Sequence, residues 1–250
     1  MKYLTWANNF FRSAAVSANQ QTTNATSSKL QTSYLSEVWV STGSNPEVTV
    51  DLGAGRAFDT IVVANHQLTS QADVTVMWGS SPTSLFQTVL PWREFDIAHS
   101  LSAVTSQQYL RLHFSDTNNP DNNISVGQIW IGSSGSTPMQ FQSEWQDAEM
   151  HINRRQQTDA GIIHSEKLVR QHDISLLWSG LDPSQATTIW SAIVVDTNGG
   201  ADPMWIQPKS DTEAHRHYIC NLVDNDSSRT QHFLKLSLRF LESIRGLIKI

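Results

Sequence analysis

Between Val48 and Leu52 apolar and polar side chains alternate: Val48, Val50 and Leu52 fall on one side, Thr49 and Asp51 on the other. A period of two residues is that of a strand with one covered face. Residues 53–56, GAGR, interrupt the alternation and predict a turn. TIVVA, residues 60–64, is apolar without alternation, which predicts a strand covered on both faces. ADVTVMWG returns to alternation with Val74 and Val76 against Thr75 and Met77. QYLRLHFS sets Leu110, Leu112 and Phe114 opposite Arg111 and His113, and SVGQIWIG closes the series. Loops of Asn, Asp, Ser and Pro separate these strands, notably SDTNNPDNN over residues 115–123. Spaced strands without a helix between them predict an antiparallel sandwich or barrel.

GSSGSTP, residues 132–138, is small and polar and divides two different patterns, so residues 134–138 are expected to be a linker. Beyond it MQFQSEWQDAEMHI alternates, and EKLVRQHDISLLWSGL, PMWIQP, HRHYICNLV and HFLKLSLRF read as further strands. In the last, Leu234, Leu236, Leu238 and Phe240 share a face. DPSQATTIWSAIVVD is the one convincing helix: Asp182 suits the N-cap, Pro183 the first helical position, and Ile189, Ile193 and Trp190 an inward face. The fold class expected is mainly β. An N-terminal jelly-roll β-sandwich over residues 1–133 precedes a C-terminal β-sandwich or barrel domain over residues 139–250 with one flanking helix.

Composition narrows the function classes. The chain has 250 residues, 39% hydrophobic and only 16% charged, enough apolar matter for real cores. Residues 1–136 carry six Lys/Arg and nine Asp/Glu, and residues 137–250 carry eleven and fourteen, so each part stands at −3 of the total −6. Neither offers a basic face for nucleic acid. The single Cys220 excludes an internal disulfide and fits a reducing compartment. The opening MKYLTWANNFFRS lacks the apolar core of a signal peptide, and no apolar run reaches the length of a membrane span. Asn-x-Ser/Thr triplets such as those at Asn24 and Asn123 then read as coincidence.

Chemistry-bearing groups are few. His215, His217 and Cys220 form His-x-His-x-x-Cys, but on a strand Cys220 points away from the two histidines, and adding Glu213 still leaves a zinc site incomplete. Asp51 and His66 have no local acid or base partner and read as strand-end and turn residues. GAG lacks the third glycine and the helix of a dinucleotide fingerprint. No nucleophile–base set is present, so no enzyme, no metal and no cofactor is expected. Trp39, Trp78 and Trp130 lie in or near strands as core or sheet-edge residues; an exposed Trp130 would instead mark an interface.

The order WANNFF, EVWVS, VTVDLG, IVVANHQL, ADVTVMWG and YLRLHF resembles the galactose-binding-like, or discoidin-like, jelly-roll domain. The Asp-Leu-Gly strand followed by NHQL resembles more narrowly the variant found in tail proteins of long-tailed bacteriophages. Residues 139–250 resemble, in order of elements, the modules of phage tail tubes and distal-tail rings. The resemblance implies a structural subunit of a phage tail tip or baseplate, present in the virion tail and assembled in the host bacterial cytoplasm. It implies other tail proteins as partners and a homo-oligomeric ring, sixfold or threefold. The interface residues expected are Trp130, Leu241, Ile244, Leu247 and Ile248. The alternative it implies is a carbohydrate-binding module attaching to a host glycan, with ligand loops at one end of the sandwich, residues 20–45 and those beside them.

Overall fold

The computed structural model describes residues 1–93, 96–137, 145–157, 163–207, 218–229 and 234–242. In chain order the strands are β1 (Lys2–Thr5), β2 (Ala15–Ala18), β3 (Trp39–Val40), β4 (Glu47–His66), β5 (Asp73–Ser81), β6 (Ser84–Leu90), β7 (Asp96–Ser115), β8 (Ser125–Gly132), β9 (Gly135–Ser136), β10 (Trp145–Gln157) and β11 (Ile163–Leu181). Helix α1 (Pro183–Trp190) follows, then β12 (Met204–Gln207), β13 (Tyr218–Arg229) and β14 (Leu234–Glu242). Every pairing among the described strands is antiparallel.

The first unit is a β-sandwich made by bending two long strands. Its order is β3-β8-β4-β7-β5-β6, with β2 also on β4. β4 and β7 each run 20 residues. Between Asp51 and Arg56 of β4 the register slips: four residues face the single Gln108 of β7. Gly53 holds φ +75 within that bulge, and the Asp51 carboxylate accepts the Gly53 N–H at 2.8 Å and the Gln108 amide at 2.9 Å. The expected turn at residues 53–56 is therefore a bulge inside one continuous strand. A bulge sharpens twist and bend, and here it carries β4 from one layer to the other. Val48, Val50, Val74, Val76, Leu110 and Phe114 from one layer and Ile61, Val63, Ile97, Ile129 and Ile131 from the other fill one buried core.

The second unit is a seven-stranded sheet, β10-β11-β14-β13-β12-β1-β9. One of its faces is covered by α1 and the π-helical turn after it, which bury Ile189 and Ile193 against Ile174, Trp178, Met204 and Cys220. The helix begins where its sequence says. The Asp182 side chain accepts the Ser184 and Gln185 N–H groups, and Gln185 reciprocates in a capping box. Its carboxylate accordingly titrates below the usual range, through the Gln185 and Ser184 hydrogen bonds.

The N-terminal strand β1 belongs to this second sheet, not to the sandwich. Lys2–Thr5 pair with Gln207–Met204, and Lys2 and Tyr3 pair with Ser136 and Gly135. Leu4, Trp205 and Ile219 thus stand side by side on three neighbouring strands. They share a buried cluster with Trp6, Leu35, Val62, Ala64 and Trp130. Val62 and Trp130 are cross-strand partners on the sandwich's outer surface. TIVVA is covered on both faces, as its lack of alternation predicts, because Ile61 and Val63 face the sandwich core while Val62 and Ala64 face the second sheet.

The segment expected as a linker is short of slack. Ser133 donates its hydroxyl to the Ala57 carbonyl at 2.7 Å, and the Ser134 N–H reaches the Asp59 carboxylate at 2.8 Å. β9 lies within this segment, and the Thr137 N–H binds the Met1 carbonyl at 3.1 Å. Its glycines serve close approach: a Cβ on Gly132 would collide with the Asn8 carbonyl oxygen, and one on Gly135 with the Tyr3 ring. Trp130, fully buried, donates its indole N–H to Gln128 at 3.1 Å and meets Trp6 edge-on at 5.0 Å between ring centroids. Replacing it empties the seam between the units. Trp130→Ala is expected to cost about 3–5 kcal/mol and to weaken both units in one transition, followed by circular dichroism in denaturant. Two transitions, only one of them shifted, would show the units to be independent.

Candidate functional site

Three loops meet at one end of the sandwich: residues 19–46 before β4, 67–72 before β5 and 116–124 before β8. Backbone bonds lock them together. The Asp116 N–H donates to the Ser44 carbonyl at 2.9 Å, the Ser41 N–H to the Ile124 carbonyl at 2.9 Å, and the Gln67 N–H to the Ser125 carbonyl at 3.1 Å. Asp116, 1% exposed, is the knot. Its carboxylate accepts the Thr69 N–H at 2.8 Å, the Thr69 hydroxyl at 2.6 Å and the Asn119 amide at 3.2 Å. Asn119 donates also to the Gln67 carbonyl at 3.1 Å, and its own side-chain oxygen accepts the Asp121 N–H at 3.0 Å. A buried carboxylate holding donors from two loops fixes their spacing.

Over this scaffold lie exposed groups that are mostly uncharged. Asn118 donates to the Gln71 side chain at 2.6 Å, and Asn45, Asn122, Gln21 and Thr42 face solvent nearby in the chain. Asn19 accepts the Glu47 N–H at 2.8 Å, and Gln20 reaches the Asn45 carbonyl at 3.5 Å. An aromatic plane adjoins the middle loop: half-buried Trp92 donates its indole N–H to the Leu68 carbonyl at 3.1 Å. Fixed amides and hydroxyls next to an anchored indole can take the hydroxyls and the apolar face of a polyhydroxylated ligand.

Charge is sparse: Asp121 is the exposed carboxylate of the third loop, and two ion pairs lie within or beside the first. Arg111 pairs with Glu47 at 3.3 Å and Lys29 with Glu37 at 3.3 Å. Following Trp92, the Arg93 guanidinium titrates low because it is partly buried. His99 also titrates below its ordinary value, first because burial penalises the imidazolium and then because Arg93 adds like charge.

The residues singled out from sequence fall apart in space. Trp130 lies inside the seam, fully buried beneath the second sheet, so it takes the core position its strand allowed and not the exposed one that an interface role required. Leu241 sits on β14 between Asp173 of β11 and Asn221 of β13, while Ile244, Leu247 and Ile248 lie outside the described residues. Asp51 closes the bulge, and the His66 Nδ1 accepts the Leu68 N–H at 3.2 Å, so both are architectural. Cys220 is buried against the Met204 carbonyl, whereas Glu213, His215 and His217 lie outside the described residues. Among the described residues no three His, Cys, Asp or Glu converge for a metal. Reading the sequence missed Asp116 and Trp92. The Asn/Asp-rich composition of residues 115–123 marked a loop, but nothing in it marked which carboxylate turns inward.

No protein-family model matches the chain, and no curated protein matches it. Solved structures do resemble its sandwich. The lectin domain of lectinolysin complexed with Lewis B antigen is 12% identical, with 51% of this chain and 97% of that chain covered and a TM-score of 0.43. The family 32 CBM from C. perfringens NanJ in complex with galactose is 10% identical, with 52% and 98% covered and a TM-score of 0.41. A Streptococcus pneumoniae fucose binding module is 9% identical, with 50% and 95% covered and a TM-score of 0.43.

The His99 environment has a pH signature. Its folded pKa lies below the free imidazole value of 6.5, so the neutral form favours the fold. The stability tied to it is present above 6.5 and is lost as pH falls below that value toward the lowered folded pKa. Melting temperature should decline over that window in the unmodified chain and decline less in His99→Gln. Parallel profiles for the two would remove His99 as the cause.

Proposed function

We propose that this protein works by binding, without catalysis, and that its sandwich is a carbohydrate-binding module that reads a neutral glycan at the loop end. The observation that carries the reading is the loop end itself. Two loops are tied to one buried carboxylate, Asp116, whose backbone N–H holds the third, and their outward groups are mostly amides and hydroxyls near the anchored Trp92. Neutral polar groups held in advance suit sugar hydroxyls, since the ordering cost is met in folding and not in binding. The sandwich half of the resemblance drawn from sequence points to the same ligand class.

The long hairpin of the second sheet favours a further reading, a structural subunit of a phage tail tip in the virion, joined to other tail proteins in a ring. β10 and β11 run 13 and 19 residues, beyond the usual strand length, as an assembly arm would. The two readings are compatible, because a tail tip can carry its receptor-binding module on the same chain.

A glycan array probed with the full chain is expected to give selective binding to neutral glycans. Asn118→Ala should weaken a hit by about tenfold or more with unchanged folding, and Trp92→Ala at least as much, its fold checked by circular dichroism because the ring also packs on the core. Absence of any glycan hit, together with closed rings in electron micrographs of the purified protein, would replace the first reading with the second.

A further inference from the structure

Sheet edges are where a β protein is open to other chains, and proteins blunt them with short strands, charge or proline. Here β2, β3 and β9 are 4, 2 and 2 residues long, too short to template a partner. The edge strand β10 is long but carries Asp147, Glu149, Arg154 and Arg155. β6 has none of these protections. It is 7 residues long, SLFQTVL, with no charged residue, proline or glycine, and among the described residues it pairs only with β5. It also bears two of the five large hydrophobic side chains exposed among the described residues, Phe86 at 70% and Val89 at 57%.

We propose that β6 is a dimerisation edge whose occupant is β6 of a second copy, paired antiparallel about a two-fold axis. Charge argues for this occupant. At a net charge of −6 two copies repel over most approaches, and an uncharged strand meeting its own copy adds no repulsion. The strand also complements itself. Pairing centred on Gln87 sets Leu85 against the partner's Val89 and Phe86 against the partner's Thr88, and each contact is made twice, as an isologous interface requires. The backbone donors and acceptors along the outer edge of β6 gain partners, and Phe86 on one face and Val89 on the other each lose exposure against the partner strand. The inference is independent of glycan binding, although two sandwiches joined in this way would present two loop ends to a surface.

The experiment is sedimentation velocity with multi-angle scattering on the full chain from about 1 µM to about 500 µM. The expected mass rises with concentration from 28.0 kDa toward twice that value. Val89→Lys and Phe86→Lys, at exposed positions where folding tolerates charge, should each hold the monomer mass with an unchanged circular dichroism spectrum. Val195→Lys, at a 61% exposed site on the other unit, should dimerise like the unmodified chain. A chain that stays at 28.0 kDa throughout, or β6 variants that associate as well as the unmodified chain, would overturn the proposal. So would equal loss of association in Val195→Lys.

Discussion

The requirement that residues 60–64 be covered on both sides organises the molecule. An apolar strand with one face in a sandwich core and the other in water would expose Val62 and Ala64 and, beside them, Trp130. Exposing that much contiguous apolar surface is costly, and the protein avoids it by laying a second sheet over it. The partners arrive from opposite ends of the chain: Leu4 and Trp6 from the start, Trp205 and Ile219 from the far half. The tight crossing of residues 6–8 over Gly132 and the bonds holding residues 133–137 follow from that closure. What resembles a pair of domains joined by a tether is a stack of layers, helix, sheet and sandwich, with buried side chains at each junction.

The loop end inherits its rigidity from the same construction. Bending β4 and β7 at a bulge delivers both ends of the sandwich with few free strand termini, so the connections must cross between layers within a confined space. Their backbone groups satisfy one another and the Asp116 carboxylate. Left-handed Asn65 and Asn122 make two of the reversals, a conformation that asparagine tolerates better than most residues. The outward amides are held as well, Asn118 by Gln71 and Gln20 by the Asn45 carbonyl. The proposed glycan surface rests on that division, inward carboxylate and outward amides.

Much of this was legible in the sequence, and the reasons for the rest are physical. Alternation located the first half of β4, β5 and the second half of β7, since a period of two survives wherever one face is covered. The helix cap was legible because Asp182, Pro183 and Gln185 act locally. β6 was missed because Phe86 and Val89 face solvent, which erases the alternation. The placement of β1 was missed because pairing Leu4 with Trp205 depends on distant chain, not on anything near Leu4. Glycine-rich residues 132–137 suggested flexibility, yet at Gly132 and Gly135 small size serves crowding. Trp130 reads from sequence as core or sheet edge, and the burial of SVGQIWIG at all eight positions puts it in the core.

The pairing of Leu4 with Trp205 also sets an order of events in synthesis. These residues stand 201 positions apart and share one ladder. At translation rates of about 5–20 residues per second, the first strand waits roughly 10–40 s for its partner to be made. Through that interval the sandwich can close its own core while Val62, Ala64, Trp130 and Trp6 remain uncovered. The nascent chain therefore carries an aromatic patch that the finished molecule hides, and its vulnerability to chaperone capture or misassociation lasts until Trp205 and Ile219 have been made.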